Sequence, residues 1–296
     1  MRDPRTRLLA YLLVISACWG SGFLFIKIAA QTLPPFAIAT ARGFISASAI
    51  LLWFILARRA FMPDRRHVRH MIVLGAVNGW IPNAMTAMAI TRIDSALAAM
   101  IQASSPLIVA LLSHVFLAEE RMNARRALGI TIGLGGIFLL VGPAALLDAG
   151  GTAIGGALMI AVSISYASGT VYVRRVRPRD NAAVALGQQI SSMLPALALC
   201  LAFEPIPAWD QPALVWGALL GVGVIASAIP MAMFLQLLRF AEATQAASVG
   251  YLMPIWAAGF GVILLGERLA STTLLAAAIV LTGVWLVASP GKRQSS

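Results

Sequence analysis

The sequence contains one pattern twice, 148 residues apart. Residues 106–121 read PLIVALLSHVFLAEER, and residues 254–268 read PIWAAGFGVILLGER. Each copy is a proline, a run of mostly apolar residues, a small residue and a glutamate, followed by a short polar break. Self-similarity at a fixed offset indicates an internal duplication, and it has to be interpreted before any other feature of the chain.

The alignment between the two copies continues upstream. NGWIPNAM aligns with ASAIPMAM, which places Pro82 over Pro230. At an offset of 147, SACWGSGFLFIK aligns with SISYASGTVYVR, which places Trp19 over Tyr166. The register therefore holds across several segments, and the chain is predicted to be a tandem duplication of about half its length.

Composition places both copies in a membrane. Hydrophobic residues make up 60% of the chain, charged residues only 11%, and the mean hydropathy is +0.87, whereas about a quarter of a soluble domain is charged. Inside lipid only helices and closed barrels satisfy the backbone, and the alternation of a barrel strand is absent. Apolar runs near the roughly 20 residues of a membrane helix occur at about 8–30, 36–57, 71–90, 95–117, 124–141, 153–173, 183–203, 213–238, 244–265 and 272–289.

These runs predict an all-α integral membrane protein with ten transmembrane helices, five in each half. With the N terminus inside, eighteen lysines and arginines fall in inner segments and only two, Arg92 and Arg268, in outer loops. The positive-inside rule then places both termini in the cytoplasm. The net charge of +11 needs no nucleic-acid partner; the expected partners are the lipid bilayer and a small-molecule substrate, and we expect a monomer.

An odd number of helices per half makes the two halves inverted with respect to each other. The loop at 58–70 is strongly basic, whereas its counterpart at 204–212 carries two acids and no base. Two homologous halves in opposite orientation are how many secondary transporters are built. We predict two inverted five-helix domains, residues 1–146 and residues 147–296.

Polar and aromatic residues near the repeated prolines are the candidate substrate contacts. A single membrane aromatic more often belongs to the interfacial belt, but several of these lie well inside their spans. Together they indicate an apolar cavity with a few uncharged hydrogen-bonding groups, which is the usual form of a small-molecule site. The candidates are Trp19, Asn78, Asn83, Gln102, Tyr166, Gln245, Tyr251 and Trp256.

Four prolines and one arginine are the candidate gating residues. Proline removes a helix hydrogen bond and kinks the segment, and broken helices at corresponding places in two halves point to a transport site, although proline is common in membrane helices generally. Arg42 lies about two turns inside its span, where a charge is costly and usually faces an interior. It either faces the cavity, as a gate or as a contact for an anion, or it snorkels outward. The set is Arg42, Pro82, Pro106, Pro230 and Pro254.

Acidic residues are predicted to have structural roles. All eleven fall in loops, tails or helix ends, whereas coupled pumps usually keep a carboxylate in mid-membrane. Glu119 and Glu267 precede the next helix of their half, where a carboxylate is favourable; a role in proton carriage is the alternative. No phosphate-binding loop is present, and we expect no enzymatic activity, no cofactor and no metal site.

The sequence resembles the drug/metabolite transporter superfamily in its ten-helix EamA-type branch. The resemblance is carried by Trp19, Gly20 and Ser21 in the first span, Arg42 in the second, and the twice-written stretch from proline to Gly/Ala-Glu-Arg, and it covers nearly the whole chain. Within that branch the sequence is most similar to the YddG-type bacterial exporters of aromatic amino acids. In the second half tyrosine replaces the tryptophan and Gln189 replaces the arginine.

The resemblance implies export of aromatic and other hydrophobic amino acids across the inner membrane of a bacterium, without a cofactor. The residues agree with it, since an apolar aromatic cavity suits a ring and the lack of a mid-membrane acid suits passage down the substrate's own gradient. Alternatives stay open: another metabolite or drug such as an organic cation or a nucleotide-linked or lipid-linked sugar, possible proton coupling, and more remotely a membrane scaffold or an intramembrane enzyme.

Overall fold

The computed structural model describes residues 4–61, 65–116, 123–141, 151–176, 180–205, 210–240, 249–268 and 270–288, and their regular structure is entirely helical. The helices are α1 (Pro4–Ala29), α2 (Pro35–Leu56), α3 (Arg65–Gly75), α4 (Ile81–Ile90), α5 (Ser95–Gln102), α6 (Ser105–Phe116), α7 (Ala124–Val141), α8 (Gly151–Val176), α9 (Asn181–Phe203), α10 (Ala213–Leu220), α11 (Ile229–Phe240), α12 (Val249–Leu265) and α13 (Ser271–Ala288). Two π-helical stretches join consecutive helices: π1 (Ala76–Trp80) links α3 to α4, and π2 (Gly221–Ala228) links α10 to α11.

Six helical segments among these residues are long and apolar enough to cross a membrane. The all-helical membrane class predicted from the sequence is therefore confirmed. The described residues of the other four predicted ranges are also helical, in segments that are shorter or interrupted. The six long apolar segments are 6–29, 35–56, 97–116, 151–176, 182–203 and 213–234.

Local sequence explains several helix ends. Pro35 occupies the first turn of α2, where a missing N–H costs nothing. The Asp180 carboxylate accepts from the backbone N–H groups of Ala182 and Ala183 at the start of α9, as an N-cap should. Gly266 ends α12 with a φ of +67°, a conformation that glycine adopts without steric cost.

Helices of the first half pack mainly on helices of the second half. α1 lies against α12 and π2, while α8, the repeat counterpart of α1, lies against α4 and α6. α2 packs on its own counterpart α9, and α7 packs on its counterpart α13. Most of the core is one cluster that includes Phe23, Ile90, Met159 and Val222, all fully or almost fully buried.

The two π stretches occupy corresponding places in the two copies of the repeat. Each is followed at once by an Ile-Pro pair, at Pro82 and at Pro230. In π1 the chain bends at Gly79, whose φ and ψ of −123° and −110° are not helical. The interruption expected at Pro82 and Pro230 is thus present in both halves, as a π stretch that ends just before the proline.

The two prolines of the long repeat behave differently from each other. A turn at Ala103 and Ser104 separates α5 from α6 just before Pro106. Pro254 instead lies inside continuous α12, so the helix break expected there is not found. Pro254 removes only the bond that its own amide would donate to the carbonyl of Gly250, one turn from the described start of the helix.

Gly136 allows α7 and α13 to approach closely, which gives a stability prediction. A Cβ at Gly136 would meet Val280 and the Ala276 carbonyl, whereas a Cβ at its neighbour Gly135 would meet nothing within 4 Å. Gly136→Leu is expected to lower the free energy of unfolding by about 1–3 kcal/mol through overpacking. Thermal denaturation of the purified protein checks this; a Gly135→Leu control that falls as far would show that this packing is not the cause.

Candidate functional site

A group of four polar residues from both halves lies within the apolar core. The Nε of Arg42 on α2 donates to the Ser227 Oγ on π2 at 2.8 Å. The Tyr166 hydroxyl on α8 donates to the Asn83 Oδ1 on α4 at 3.3 Å. α2 packs against both π2 and α4, and α4 packs against α8, so the two pairs lie in neighbouring parts of the core. We call these four residues the polar cluster.

The polar cluster has apolar surroundings and is not sealed. Tyr166 packs against the main core, together with Phe25, Ile45 and Met85. Arg42 and Tyr166 are surrounded by protein, yet each keeps some solvent-accessible surface. That combination is typical of side chains that line an internal space.

Side chains donate hydrogen bonds to backbone carbonyls of both π stretches. The Ser165 hydroxyl donates to the Val77 carbonyl at 2.6 Å, and the Gln188 amide donates to the Asn78 carbonyl at 3.5 Å. On the other side, the Ser227 hydroxyl donates to the Val222 carbonyl at 2.7 Å. A π stretch replaces the usual helical hydrogen bonds with i→i+5 bonds. The bonds from Ser165 and Gln188 tie π1 to α8 and α9, whereas the Ser227 bond lies within π2.

Asn78 was predicted as a substrate contact and lies at the first π stretch. Its side chain packs directly against Gly169 of α8, because a Cβ at that glycine would overlap the amide. Its Oδ1 is buried and has no hydrogen-bond partner among the described residues. An unsatisfied buried acceptor costs roughly 1–3 kcal/mol, and in this conformation the oxygen is enclosed against Gly169.

The two predicted tryptophans lie on α1 and α12. Trp19 contacts Phe234 with ring centroids 5.2 Å apart and packs with a second cluster that contains Ile15 and Leu237. The Trp256 Nε1 donates to the Ser16 Oγ at 3.1 Å. Both rings therefore lie where α1 packs against α11 and α12. Trp19 lies on the side of α1 that faces α11.

The remaining predicted site residues lie near the α5–α6 break or on α12. Gln102 is half-buried and is the last residue of α5, beside the turn that precedes Pro106. Tyr251 is a helical residue of α12, and its side chain is outside what the structure describes. Gln245 lies outside the described residues altogether.

Sequence reasoning overlooked Ser227, Ser165 and Gln188. Ser227 aligns with Gly79 in the repeat and lies three residues before Pro230, so a small polar residue next to a predicted break was the available signal. Gln188 was overlooked because its neighbour Gln189 aligns with Arg42. In the structure the Gln189 amide donates to the Ser46 hydroxyl, one turn beyond Arg42 on α2.

Two glutamates connect the halves by capping helices of the first half. Glu204, after α9, accepts from the N–H groups of Phe36 and Ala37 on α2, both at 2.8 Å. Glu267, after α12, accepts from the Ser95 N–H at 3.0 Å and the Ser95 hydroxyl at 2.7 Å. The structural role predicted for Glu267 therefore acts on α5 instead of on the next helix of its own half. Glu119 lies outside the described residues.

Glu204→Ala is expected to lower the free energy of unfolding by about 1–3 kcal/mol, because two N–H groups lose a charged acceptor at a helix N-terminus. Thermal denaturation in detergent checks the effect. Asp210→Ala removes an exposed acid from the same connection and serves as the matched control. Equal loss in both variants would show that net charge, and not the cap, is responsible.

Lys27 and a surface cleft lie at helix ends, apart from the polar cluster. The Lys27 Nζ donates to the carbonyls of Ile90 and Ile93 at 3.1 Å each and lies 3.9 Å from the Asp94 carboxylate. Lys27, Arg92, Ile93 and Asp94 border an open cleft of about 280 Å³. The structure assigns Lys27 to closing the α4–α5 connection, so the cleft is a feature of the helix ends.

Comparison with known proteins identifies the class. The EamA-like transporter family model matches residues 6–142 and again residues 153–289. The chain is therefore a membrane transporter by class, and it belongs to the EamA-like transporter family of the drug/metabolite transporter superfamily. The family predicted from the sequence is confirmed.

Relatives and one solved structure agree with the family. The chain is 31% identical over 278 residues to the uncharacterized inner membrane transporter YedA of Escherichia coli K12, covering 91% of this chain and 86% of YedA. It is 29% identical over 284 residues to the uncharacterized transporter sll0355 of Synechocystis, with the same two coverages. A crystal structure 16% identical in sequence has a TM-score of 0.70 and covers 95% of this chain and 96% of its own, which shows the fold alone.

Proposed function

We propose that the protein is a secondary transporter that exports small hydrophobic solutes, chiefly aromatic and other neutral amino acids, from the cytoplasm. The observation that carries the proposal is the polar cluster, in which α2 and α4 of the first half meet π2 and α8 of the second within an apolar core. A site shared by two homologous halves and built on interrupted helices is the usual arrangement in secondary transporters.

The proposed architecture has ten membrane helices in two inverted domains, residues 1–146 and residues 147–296, with both termini in the cytoplasm. The two separate family matches, 6–142 and 153–289, support the division. α2 packs on its repeat counterpart α9, and α7 packs on its counterpart α13, which supports a two-fold relation between the halves. We place the protein as a monomer in a bacterial inner membrane, the location for which its Escherichia coli relative YedA, an uncharacterized inner membrane transporter, is named.

The proposed mechanism is rocking of the two halves about the polar cluster, with the interrupted helices as gates. The π stretches and the prolines after them supply places where a helix bends at low cost. Each described acid lies at a helix end or in a connection, and a proton-coupled pump usually holds a carboxylate in mid-membrane. We therefore propose an uncoupled facilitator that moves its cargo down the cargo's own gradient.

The proposed cargo follows from the chemistry of the lining. Aromatic and methionine side chains such as Tyr166 and Met85 suit an apolar ring, and the amides of Asn78 and Asn83 suit the polar end of an amino acid. The cargo of the YddG-type exporters, which this sequence resembles, is of this kind.

Counterflow in proteoliposomes tests the proposal. Vesicles loaded with unlabelled phenylalanine are expected to accumulate labelled phenylalanine transiently, with no pH gradient. A sugar nucleotide and a quaternary amine, run in parallel, represent the other cargo classes. Counterflow of either one without phenylalanine would replace the proposed cargo, and a strict requirement for a pH gradient would replace the uncoupled mechanism.

A further inference from the structure

The Arg42 guanidinium is held along one edge. Its Nε donates to the Ser227 Oγ at 2.8 Å, and that hydroxyl gives its own proton to the Val222 carbonyl at 2.7 Å. Because the serine proton is used on the carbonyl, the oxygen can only accept from Arg42. Among the described residues only Nε has an acceptor, and the two terminal nitrogens are not sealed from solvent.

Arg42 also lacks an acidic partner in the described part of the chain. The recorded ion pairs there join Lys27 to Asp94 and Arg59 to Asp180, both at helix ends. All eleven acids of the sequence lie outside the middle of a span. An arginine stays protonated in proteins, and a buried charge without a partner is costly. The missing negative charge can therefore be supplied by a molecule that enters the cluster.

We infer that the two terminal nitrogens of Arg42 bind a carboxylate of the cargo, with Ser227 as the residue that orients the guanidinium. The inference rests on the proposed transport function and names the substrate class: small apolar molecules that carry one carboxylate. The planar guanidinium matches a carboxylate with two parallel hydrogen bonds. Tyr166 and Asn83 form the other hydrogen-bonded pair of the cluster, and we expect them to contact the rest of the cargo.

In the second half, the position that corresponds to Arg42 in the repeat carries no charge. The counterpart of Arg42 is Gln189, and its amide is engaged with Ser46 across the α2–α9 contact. One fixed positive charge fits a monocarboxylate, is too little for a diphosphate, and repels an organic cation. A single positive charge at this place therefore favours amino acids as cargo over nucleotide-linked sugars and quaternary amines, which the sequence left as alternatives.

A ligand series with one common ring tests the inference. Phenylalanine and 3-phenylpropionate carry the carboxylate, whereas phenylalaninamide and phenethylamine do not. Each is measured by competition for counterflow and by thermal-shift binding to the wild-type protein, Arg42→Gln and Arg42→Lys. Arg92→Gln removes one charge from an exposed residue and is the matched control. We expect the wild type to bind both carboxylates at least about ten-fold better than the amide and the amine, a difference typical of one charged hydrogen-bonding contact.

Arg42→Gln is expected to lose that ten-fold preference, and Arg42→Lys to keep part of it, because a lysine retains the charge without the planar fork. Suppose that the wild type binds both carboxylates, that Arg42→Gln does not, and that phenylalanine shows no counterflow. This result would support the anion site and would contradict the proposed cargo. Counterflow of phenylalanine and its amide at equal rates in wild type and Arg42→Gln would leave the transport function and overturn the site. Failure of both carboxylates to bind the wild type would overturn it as well.

Discussion

A disulfide between cysteines placed at Gly22 and Ala226 is expected to stop transport, and its reduction to restore it. Gly22 lies on α1 of the first half and Ala226 in π2 of the second. A Cβ at Gly22 would lie 3.1 Å from the Ala226 Cβ, so a shift of a few tenths of an ångström reaches the roughly 3.5–4.5 Å of a disulfide. The bond would fix α1 to the π stretch that holds Ser227, and rocking of the halves requires the two to separate.

The disulfide experiment needs a background without the native thiols. Cys18 lies one turn before Gly22 on α1, and Cys200 is buried in α9, so both are first replaced by alanine. We expect the rate of phenylalanine counterflow to fall at least about ten-fold in oxidised vesicles, because the bond blocks movement of the two halves. Each single-cysteine variant should be insensitive to oxidant. Full counterflow in a sample whose disulfide is complete by mass spectrometry would rule out movement between α1 and π2.

Alanine at Trp19, Asn83 or Tyr251 is expected to lower counterflow without lowering insertion into the membrane. Asn83→Ala removes the acceptor of the Tyr166 hydroxyl, and an unpaired polar group costs roughly 1–3 kcal/mol, which corresponds to about a five-fold loss of rate or more. Trp19→Ala removes the ring that contacts Phe234. Rates are measured at equal amounts of inserted protein.

Phe203→Ala is the control for these three variants, because Phe203 is an aromatic residue at the end of α9 that is 76% exposed. Its loss should leave counterflow unchanged. Unchanged counterflow in all three test variants would show that the cargo does not touch this part of the molecule. A drop confined to Trp19→Ala would move the pathway toward α11 and α12.

Periodicity and hydropathy predicted the helices because lipid permits few alternatives. The run at 36–57 is α2, Pro35–Leu56, whose start follows from proline at the first helical turn. The duplication also predicted that Pro82 and Pro230 mark interruptions, and both follow a π stretch. These features are local, so one sequence contains enough information for them.

The contacts between the halves could not be predicted, because they depend on how distant helices meet. Arg42 and Ser227 are 185 residues apart, and the pattern along α2 gives a direction for the arginine but no partner. The cap of α2 by Glu204 spans 168 residues, and no local rule connects the two. Pro254 shows that a local pattern can also predict too much. The helix is interrupted before Pro106 but continuous through Pro254, its counterpart in the repeat, because the surrounding packing decides whether a proline interrupts a helix.

The inverted arrangement of the two halves is the claim on which the rest depends, and equivalent loops test it most directly. Arg65 lies in the loop at 58–70 and Pro212 in its counterpart at 204–212, and both are exposed at helix starts. Single cysteines at these positions, in the background without native thiols, are labelled with a membrane-impermeant maleimide in intact and in inverted membranes. We predict that the cysteine at 65 reacts only from the cytoplasmic side and the cysteine at 212 only from the opposite side. Reaction of both from the same side would mean that the halves are parallel and would contradict the account.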